Sequence, residues 1–540
     1  MKRYINITLG VLLGVTLFTS CEDLLNVTPE EVLLSDDYLK DDELDARSAL
    51  FGVLAQMQDV VGQYVVLGEM RADLVSVNSK TADEIRQINN HEVSENNSFA
   101  DPTALFSIIN NCNFALADIN TEVYENLLLD DYASILRIRT WAQMQILINY
   151  GKLPYITEPI RTNHDLEKEY PLLSMEQAID QLIANLQPIT DVENVIKYEN
   201  SLGFNIFKMI PDQNILLGDL NLWKGNNVQA AIHYKQFLDD NVAGNTYNLS
   251  SYRGLVEESG GNYNVTSSWI TIFEENIAGN EVINYVAFND QYRQANKNYE
   301  VLTTQMKPSQ KAILKWGEQF QGFEGERVIA TNHVGDIRTT GESSYIGEGD
   351  MSMITKYQYE YFIWTRAAKI YLRYAEAINY AGYPDHALAI INGIFNNPDV
   401  EPGEAPIFGN EEVFLNFDVD QYYTTNSIDE PTTGNLGIRG RVSMAPVSVD
   451  ESLNDAEKIE AVGALILEEA SLELAFEGNR WEDLMRFSLR SNNPSILANA
   501  VADKFEAAGD ITGAEQIHQK LMNPDKWFLP LIIPDNFIGN

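Results

Sequence analysis

Apolar residues recur at helical spacing in several separate parts of the chain. Between Leu136 and Tyr150, the side chains of Trp141, Met144 and Leu147 fall on one face of a helix. The same spacing predicts helices in four more segments, which are 44–57, 104–119, 175–186 and 455–490. We expect 136–150 to pair with 175–186, and 44–57 to pair with 104–119. The pattern predicts a mostly helical fold.

Two segments share a pattern of small residues with one central glycine. Every position of the first segment has its counterpart 157 residues later, so the agreement does not depend on gaps. The positions Gly218, Gly225, Ala230 and Tyr234 correspond to Ala375, Gly382, Ala387 and Ile391. The spacing is typical of a tetratricopeptide helical hairpin, in which small residues let two helices approach and the glycine ends the first helix in the left-handed conformation. An interval this long excludes a continuous array, whose repeats are about 34 residues long.

Two long insertions interrupt the helical pattern. The stretch from about 245 to 363 contains frequent Gly, Asn, Ser and Tyr, and Val282, Asn284, Val286 and Phe288 alternate in a way that predicts a strand. A second loop-rich stretch runs from about 397 to 450. Binding residues are expected in such insertions.

The N-terminus has the order of a secretory signal. Lys2 and Arg3 precede an apolar stretch from Ile5 to Phe18, which is too short to span a membrane, and Thr19, Ser20 and Cys21 follow. Residues 18–21 resemble a bacterial lipobox, so we expect cleavage before Cys21 and lipidation of that cysteine. An ordinary signal with a chance cysteine is the alternative.

The charge balance narrows the possible partners. The chain carries 79 acidic and 37 basic residues, a formal net charge of −42, and such a surface repels phosphate backbones. We therefore expect no nucleic-acid partner, and membrane attachment through lipid rather than charge. The six histidines are scattered without a metal-binding motif, so no metal or cofactor is predicted. The second cysteine, Cys112, lies among apolar residues and is expected to be buried.

Two C-terminal segments carry a family resemblance. Residues Glu469–Arg486 read EASLELAFEGNRWEDLMR, and Leu529–Pro534 read LPLIIP. Together they resemble the C-terminal signature of SusD/RagB outer-membrane lipoproteins, with Asn479 at a position where histidine is frequent. The run RAAKIYLRYAEA at Arg366–Ala377 is similar to the helix before the last hairpin of that family.

The resemblance implies a mostly α fold of tetratricopeptide-like hairpins, with long loop-rich insertions and minor β structure. It divides the chain into a signal peptide (1–20), an N-terminal half with helical hairpins (21–240) and a C-terminal half that contains the binding-loop insertion and the last hairpin (241–540). It also implies a lipid-anchored protein at the outer-membrane surface that captures oligosaccharides, delivers them to a SusC-like TonB-dependent transporter and is not an enzyme. Oligopeptide uptake, a surface glycoside hydrolase and a purely structural scaffold stay open as alternatives.

Aromatic residues of the middle insertion are the first ligand-binding candidates, because sugar rings stack on aromatic faces while amides and arginines bind hydroxyls. The insertion also contains Tyr285, Tyr299, Asn289 and Asn296, and the residues that we select from it are Tyr263, Trp269, Tyr292 and Tyr345. In the similar family, the first insertion also contributes sugar contacts, and its polar candidates here are Asn78, Arg86, Asn90 and His91. No cluster of Arg or Lys is visible in these loops, which disfavours acidic glycans.

Glu469, Glu473 and Glu477 occupy one helical face, and paired carboxylates are what glycoside hydrolysis needs. The nearby Arg480 favours a different interpretation, in which this face is solvated or forms structural ion pairs.

Overall fold

The computed structural model describes 17 helices and ten strands within the following residues: 43–119, 121, 128–162, 164–192, 206–239, 249, 255–259, 262–266, 269–274, 279, 281–320, 335–393, 412–415 and 437–531. The predicted signal peptide, Cys21 and most of the 397–450 stretch lie outside the described residues.

The helices account for most of this structure. They are α1 (Glu43–Val65), α2 (Asp83–Asn89), α3 (Thr103–Asp118), α4 (Leu129–Tyr150), α5 (Met175–Leu186), α6 (Gln213–Lys224), α7 (Asn227–Asp239), α8 (Thr271–Glu274), α9 (Tyr299–Thr304), α10 (Gln310–Gly317), α11 (Ala367–Tyr380), α12 (Pro384–Asn392), α13 (Gly437–Gly440), α14 (Asp455–Glu473), α15 (Arg480–Arg490), α16 (Ser495–Ala507) and α17 (Ile511–Leu521).

The strands are short and pair into five antiparallel two-stranded ribbons. They are β1 (Val75–Val77) with β7 (Met306–Pro308), β2 (Lys152–Pro154) with β3 (Leu172–Ser174), β4 (Leu255–Ser259) with β5 (Asn262–Thr266), β6 (Val282–Ala287) with β10 (Tyr361–Arg366), and β8 (Tyr345–Ile346) with β9 (Met353–Ile354). The mostly α fold with minor β structure is confirmed.

The predicted helix pairs form. Helix α1 packs on α3, and α4 packs on α5. The start of α5 is fixed by a capping box, in which Ser174 accepts a hydrogen bond from the backbone of Gln177 and the Gln177 side chain accepts one from the backbone of Ser174. Helix α4 ends at Gly151, whose φ of 75° suits a residue without a Cβ. Cys112 is fully buried on α3, and burial raises the pKa of its thiol to about 12.

Both tetratricopeptide-like hairpins are present. The first is α6 with α7 and the second is α11 with α12, and α7 of the first hairpin packs on α11 of the second. Gly225 and Gly382 have the expected positive φ values, 82° and 102°. A Cβ at Gly218 would lie 2.5 Å from the ring of Tyr234, so close helix approach requires the small residue. One hydrophobic core includes residues from both sides of residue 240, and the division of the chain at that point stays a prediction.

The C-terminal helices differ from the expectation in two ways. The helical pattern of 455–490 is not one helix, because Phe476 and Gly478 adopt φ values of 73° and 82° and separate α14 from α15. Beyond it, α16 and α17 form a further hairpin that we did not predict. The predicted strand at 282–288 is β6, yet both of its faces are buried, so the alternation in the sequence does not mark a solvated face.

The stretch Ala46–Met70 is the one segment of the described residues that is long and apolar enough to cross a membrane. It comprises α1 and the π-helical turn that follows, Val66–Met70. Leu50 and Val61 are fully buried, and 56% of the most apolar window of this stretch is inside the protein. Its apolar composition is therefore explained by packing in the core.

Gly382 and Gly52 provide a matched test of the hairpin turn, since a Cβ would meet no atom within 4 Å at either position. We expect Gly382→Ala to destabilise the protein by about 1 kcal/mol, because alanine resists the left-handed conformation. Gly52→Ala lies inside α1 and is expected to stabilise by about 0.5–1 kcal/mol. Urea unfolding measures both, and equal shifts of the two midpoints would contradict the assignment.

Candidate functional site

The β6–β10 ribbon brings two distant loops together. Ala287 at the end of β6 pairs with Tyr361 at the start of β10, and the Phe288 backbone N–H donates to the Glu360 carbonyl at 2.7 Å. The loop that follows β6 and the loop that precedes β10 therefore lie side by side at one end of the ribbon.

A pair of tyrosines, of which Tyr359 is exposed and Tyr299 is half-buried, marks this place. The rings of Tyr299 and Tyr359 meet edge to face, with centroids 5.4 Å apart and planes at 79°. The Tyr359 hydroxyl donates to the Asp290 carboxylate at 2.8 Å, and 40% of Tyr359 is exposed to solvent. Arg293, also exposed, is held beside them in the left-handed conformation. We name Asp290, Arg293, Tyr299 and Tyr359 the tyrosine face.

Asparagines give the loop of the tyrosine face its shape. Asn289 and Gln294 exchange backbone hydrogen bonds of 2.8 and 2.9 Å across the turn that carries Arg293. The Asn296 side chain donates to the Gln358 carbonyl at 3.2 Å and so joins the two loops. Helix α1 packs closely against the loop of the tyrosine face, because a Cβ at Gly62 would lie 2.4 Å from the Asn298 side chain.

The first insertion contacts the C-terminal end of α9, the helix that begins with Tyr299. The side-chain amide of Asn78 donates to the carbonyl of Thr304, the last residue of α9, at 2.9 Å. The Ser79 backbone N–H donates to the Asp350 carboxylate at 3.1 Å, and Lys307 pairs with the same carboxylate at 3.2 Å. The structure thus brings the Asn78 loop, the helix α9 and the β8–β9 hairpin into contact, and their role in ligand binding stays a prediction.

The polar candidates of the first insertion form hydrogen bonds with their own loop. Asn78 is buried and also accepts from the Lys80 backbone at 2.9 Å. Arg86, half-buried, donates to the carbonyls of Thr81 and Asn78, so it orders the loop. Asn90 is exposed and accepts from Asn89. Of the three, Asn90 is the candidate with the freest access to a ligand.

The four selected aromatics lie in different settings. Tyr345 is half-buried and stacks on Trp316, with centroids 6.0 Å apart and planes at 24°. Tyr263 lies in β5, and Tyr292 ends the short helical turn that begins at Asp290. The side chains of Tyr263 and Tyr292 are outside the described part of the chain.

Trp269 requires a correction. It is fully buried, and three cations lie over its ring, with Arg441 at 5.1 Å, Arg366 at 5.3 Å and Lys356 at 5.7 Å from the centroid. Cation–π contacts of this kind satisfy the ring inside the protein. Trp269 therefore packs beneath the loops and does not present a stacking surface.

His91 also departs from its expected role. It is buried, its Nε2 lies 2.9 Å from the Arg71 carbonyl, and its ring packs on Trp481. Burial, together with Lys504 and Arg71, lowers its pKa to about 3, so the imidazole is neutral. His91 therefore contacts Arg71, and its described contacts do not include the polar side chains of the Asn78 loop.

The tyrosine face was missed in part by sequence reasoning. Tyr299 belongs to the predicted insertion, but Tyr359 was not singled out. The only signal for it is the aromatic run Tyr357–Phe362, in which Tyr357 and Tyr361 are buried and Tyr359 is exposed. That distinction depends on the register of the ribbon.

The three glutamates of the helical face are buried at the end of α14 and in the turn that follows it. Glu473 accepts from Arg366 at 2.6 Å, from Arg338 at 2.8 Å and from Arg441. Burial alone would raise the pKa of Glu473, but the three arginines hold it below its usual value. A carboxylate that is ionised and paired on every side cannot serve as an acid or reach a substrate, so the structural ion-pair interpretation is correct.

The other two glutamates extend this ionic network. Glu469 accepts from Arg338 at 2.7 Å and from Arg439 at 2.6 Å, while Glu477 accepts from Arg366 at 2.7 Å. We name the connected buried groups the Glu473 network; it consists of Glu281, Asp336, Arg338, Lys356, Arg366, Arg439, Arg441, Glu469, Glu473 and Glu477. Across the residues placed by the structure, no group of three or more His, Cys, Asp or Glu side chains could hold a metal ion.

The sequence model of the SusD family matches residues 427–536, which include α13–α17 and the network glutamates Glu469, Glu473 and Glu477. Solved structures of the SusD superfamily share the fold along most of the chain. One is a protein of Bacteroides thetaiotaomicron VPI-5482, with a TM-score of 0.58, 16% identity, and coverage of 90% of this chain and 98% of that chain. The fold of this chain is SusD-like.

Further solved structures agree. A SusD superfamily protein of Bacteroides vulgatus ATCC 8482 has a TM-score of 0.57 and 15% identity, and the match covers 89% of this chain and 93% of that chain. A second protein of Bacteroides vulgatus ATCC 8482, described as a candidate sugar binding protein, has a TM-score of 0.55 and 15% identity, with 83% and 87% covered. Among curated proteins, no sequence matches.

The SusD-like signature is an architectural motif in this structure. Its turn, residues 474–479, contacts the π-helical turn that ends α1: Glu69 accepts from the Gly478 and Asn479 backbones at 2.7 and 3.2 Å. Arg480 donates to Asp73 at 2.6 and 3.0 Å rather than to the glutamates beside it in the sequence. A Cβ at Gly68 would lie 2.0 Å from the Gly478 carbonyl, so the contact is close.

Glu473→Gln is expected to destabilise the protein by about 3–5 kcal/mol, because it leaves three buried arginines without their shared carboxylate. The control is Glu468→Gln on the same helix, where the side chain is 45% exposed and pairs with Lys315. It should cost less than about 1 kcal/mol. Urea unfolding of both variants decides, and similar costs would argue against the network.

Glu69 predicts a specific pH dependence. Its second carboxylate oxygen has no hydrogen-bond partner in the described structure, and burial raises its pKa to about 8. Because the folded state holds this proton more tightly than the unfolded state, Glu69 contributes stability that is present below about pH 4.5 and is lost as pH rises to about 8. Glu69→Gln removes the titration, so its melting temperature relative to wild type should increase from pH 5 to pH 8.5. A difference that is the same at both pH values would contradict this.

Proposed function

We propose that this SusD-like protein binds oligosaccharides at the cell surface and delivers them to a SusC-like TonB-dependent transporter. The observation that carries the proposal is the tyrosine face on a SusD-like fold, in which the exposed Tyr359 ring packs against Tyr299 and lies near the exposed Asp290 and Arg293. The match to a Bacteroides vulgatus protein described as a candidate sugar binding protein supports it.

The chemistry of the face suits a sugar. A pyranose ring presents C–H bonds that pack on the exposed ring of Tyr359, and its hydroxyls can donate to Asp290 or accept from Arg293. The hydrogen bond from the Tyr359 hydroxyl to Asp290 and the edge of Tyr299 fix the orientation of the Tyr359 ring before the ligand arrives. A fixed ring loses little conformational entropy on binding.

Attachment to the outer membrane completes the proposal. The signal-like N-terminus and Cys21 supply a lipid anchor, and acyl chains are the route by which a chain of net charge −42 can stay at an anionic surface. The transporter partnership is supported by the SusD/RagB resemblance of the C-terminal signature.

Binding without catalysis is the better explanation of the acidic residues. The hydrolase alternative requires an accessible carboxylate pair, and Glu469, Glu473 and Glu477 are buried and ion-paired. Oligopeptide uptake is the alternative that the tyrosine face itself allows, because aromatic rings also pack on peptide side chains.

Isothermal titration against neutral glycans, acidic glycans and a peptide digest tests the proposal, followed by Tyr359→Ala with the ligand found. Loss of the ring should weaken glycan binding about threefold to tenfold. Tyr359→Phe keeps the ring and removes the bond to Asp290, so it should retain most of the affinity.

The matched control is Phe51→Ala on α1, which removes a ring of the same exposed fraction, 40%, away from the tyrosine face. It should leave affinity unchanged. Binding of peptides but no glycan would replace the glycan proposal with peptide capture, and equal losses in the Phe51 and Tyr359 variants would show that the face is not the site.

A further inference from the structure

A cavity lies where the C-terminal segment crosses the end of α4. Its volume is about 710 Å³. The walls come from the turn after α1, the loop that carries His91, the junction of α4 with β2, the end of α17 and residues 525–530. None of the four residues of the tyrosine face lines it.

Cations dominate the walls of this cavity. Arg71, Lys152, Lys520 and Lys526 line it, against one carboxylate, that of Asp525. Within the described residues, none of these four cations forms an ion pair with an acidic side chain. An acidic chain of net charge −42 has many carboxylates, so four cations at one place that pair with none of the described carboxylates need a reason.

Arg71 is the buried member of the group, with 2% of its surface exposed. Its guanidinium donates to the Leu67 carbonyl at 2.7 Å, to the Trp527 carbonyl at 3.4 Å and to the Asn149 side chain, and it lies 4.7 Å from the centre of the Trp481 ring. All of these acceptors are neutral. Burial lowers the pKa of Arg71 to about 9, which still leaves it charged at neutral pH.

The three lysines that line the cavity are more exposed to solvent than Arg71. Lys152 and Lys526 are exposed, and Lys520 donates to the His91 carbonyl at 2.5 Å, which holds it at the cavity. The neutral imidazole of His91 adds no charge. An anion in the cavity would therefore meet positive charge both at its base and at its rim.

The remaining walls are aromatic. Tyr150, Trp527 and Phe528 line the cavity, and Phe528 is half-buried. The volume lies in the range of small-molecule sites and far exceeds that of an inorganic ion. A lining that contains both cations and aromatic rings suits a ligand that has a carboxylate and an apolar face.

We propose that this cavity binds an acidic sugar of about disaccharide size, with its carboxylate at Arg71, Lys152 and Lys526 and its C–H face against Phe528. Guanidinium and ammonium groups are the usual partners of carboxylates, and their bonds are charge-assisted. The predicted binding loops lack a cluster of Arg or Lys, which disfavoured acidic glycans. In the folded chain, residues 71, 152, 520 and 526 form such a cluster from distant segments.

The proposal goes beyond the tyrosine face and is tested separately. Titration calorimetry of the full chain uses digalacturonate, its dimethyl ester and inorganic phosphate. We expect digalacturonate to bind, and the uncharged ester to bind about tenfold or more weakly because it lacks both carboxylates. Failure of digalacturonate to bind, or phosphate binding as tightly as digalacturonate, would overturn the acidic-sugar assignment.

Paired variants locate the site. Lys152→Glu combined with Lys526→Glu should weaken digalacturonate binding about tenfold or more. Lys168→Glu combined with Lys458→Glu changes the net charge equally, at lysines that do not line the cavity. This control should leave the affinity for digalacturonate unchanged. Circular dichroism checks that both variants fold. Equal losses in the two variants, or a loss with Tyr359→Ala but not with the cavity variant, would overturn the proposal.

Discussion

The Glu473 network is the interaction on which the rest of this structure depends. Its acidic members on α14 and the adjoining turn reach arginines that arrive from separate segments: Arg338 from the middle insertion, Arg366 from the end of β10, and Arg439 and Arg441 at the end of the second loop-rich stretch. Five acids and five cations balance within the described network. Because a buried charge without its partner is costly, each segment has one favourable position against the helical core.

This constraint also explains what could be predicted from the sequence. Helix pairs such as α4 with α5, and the positive φ of Gly225 and Gly382, follow from local periodicity and glycine spacing. The C-terminal signature indicated the SusD-like fold, and in this structure its residues maintain the network and the turn against Glu69. The signature therefore predicts architecture and contains no information on the ligand.

The binding residues could not be predicted in the same way, because they become neighbours only through long-range contacts. Tyr299 and Tyr359 meet because β6 pairs with β10 in one register, and Asn78 joins them through the end of α9. Trp269 shows the reverse case: an aromatic residue in a polar stretch was expected to face a ligand, yet three cations bury its ring. Burial of an aromatic in a long loop depends on what the loop folds over.

Each of the two candidate sites is connected to the buried charges that hold the core together. Arg366, which ends β10, is fixed by Glu473 and Glu477, and Tyr359 lies just before that strand begins. Arg71 lies between Glu69 and Asp73, the two acids that bind the signature residues Gly478 and Arg480. The network cations are neutralised by carboxylates, whereas Arg71 is surrounded by neutral acceptors and opens onto a cavity. A buried charge that the fold holds in place without neutralising it is available to neutralise a ligand.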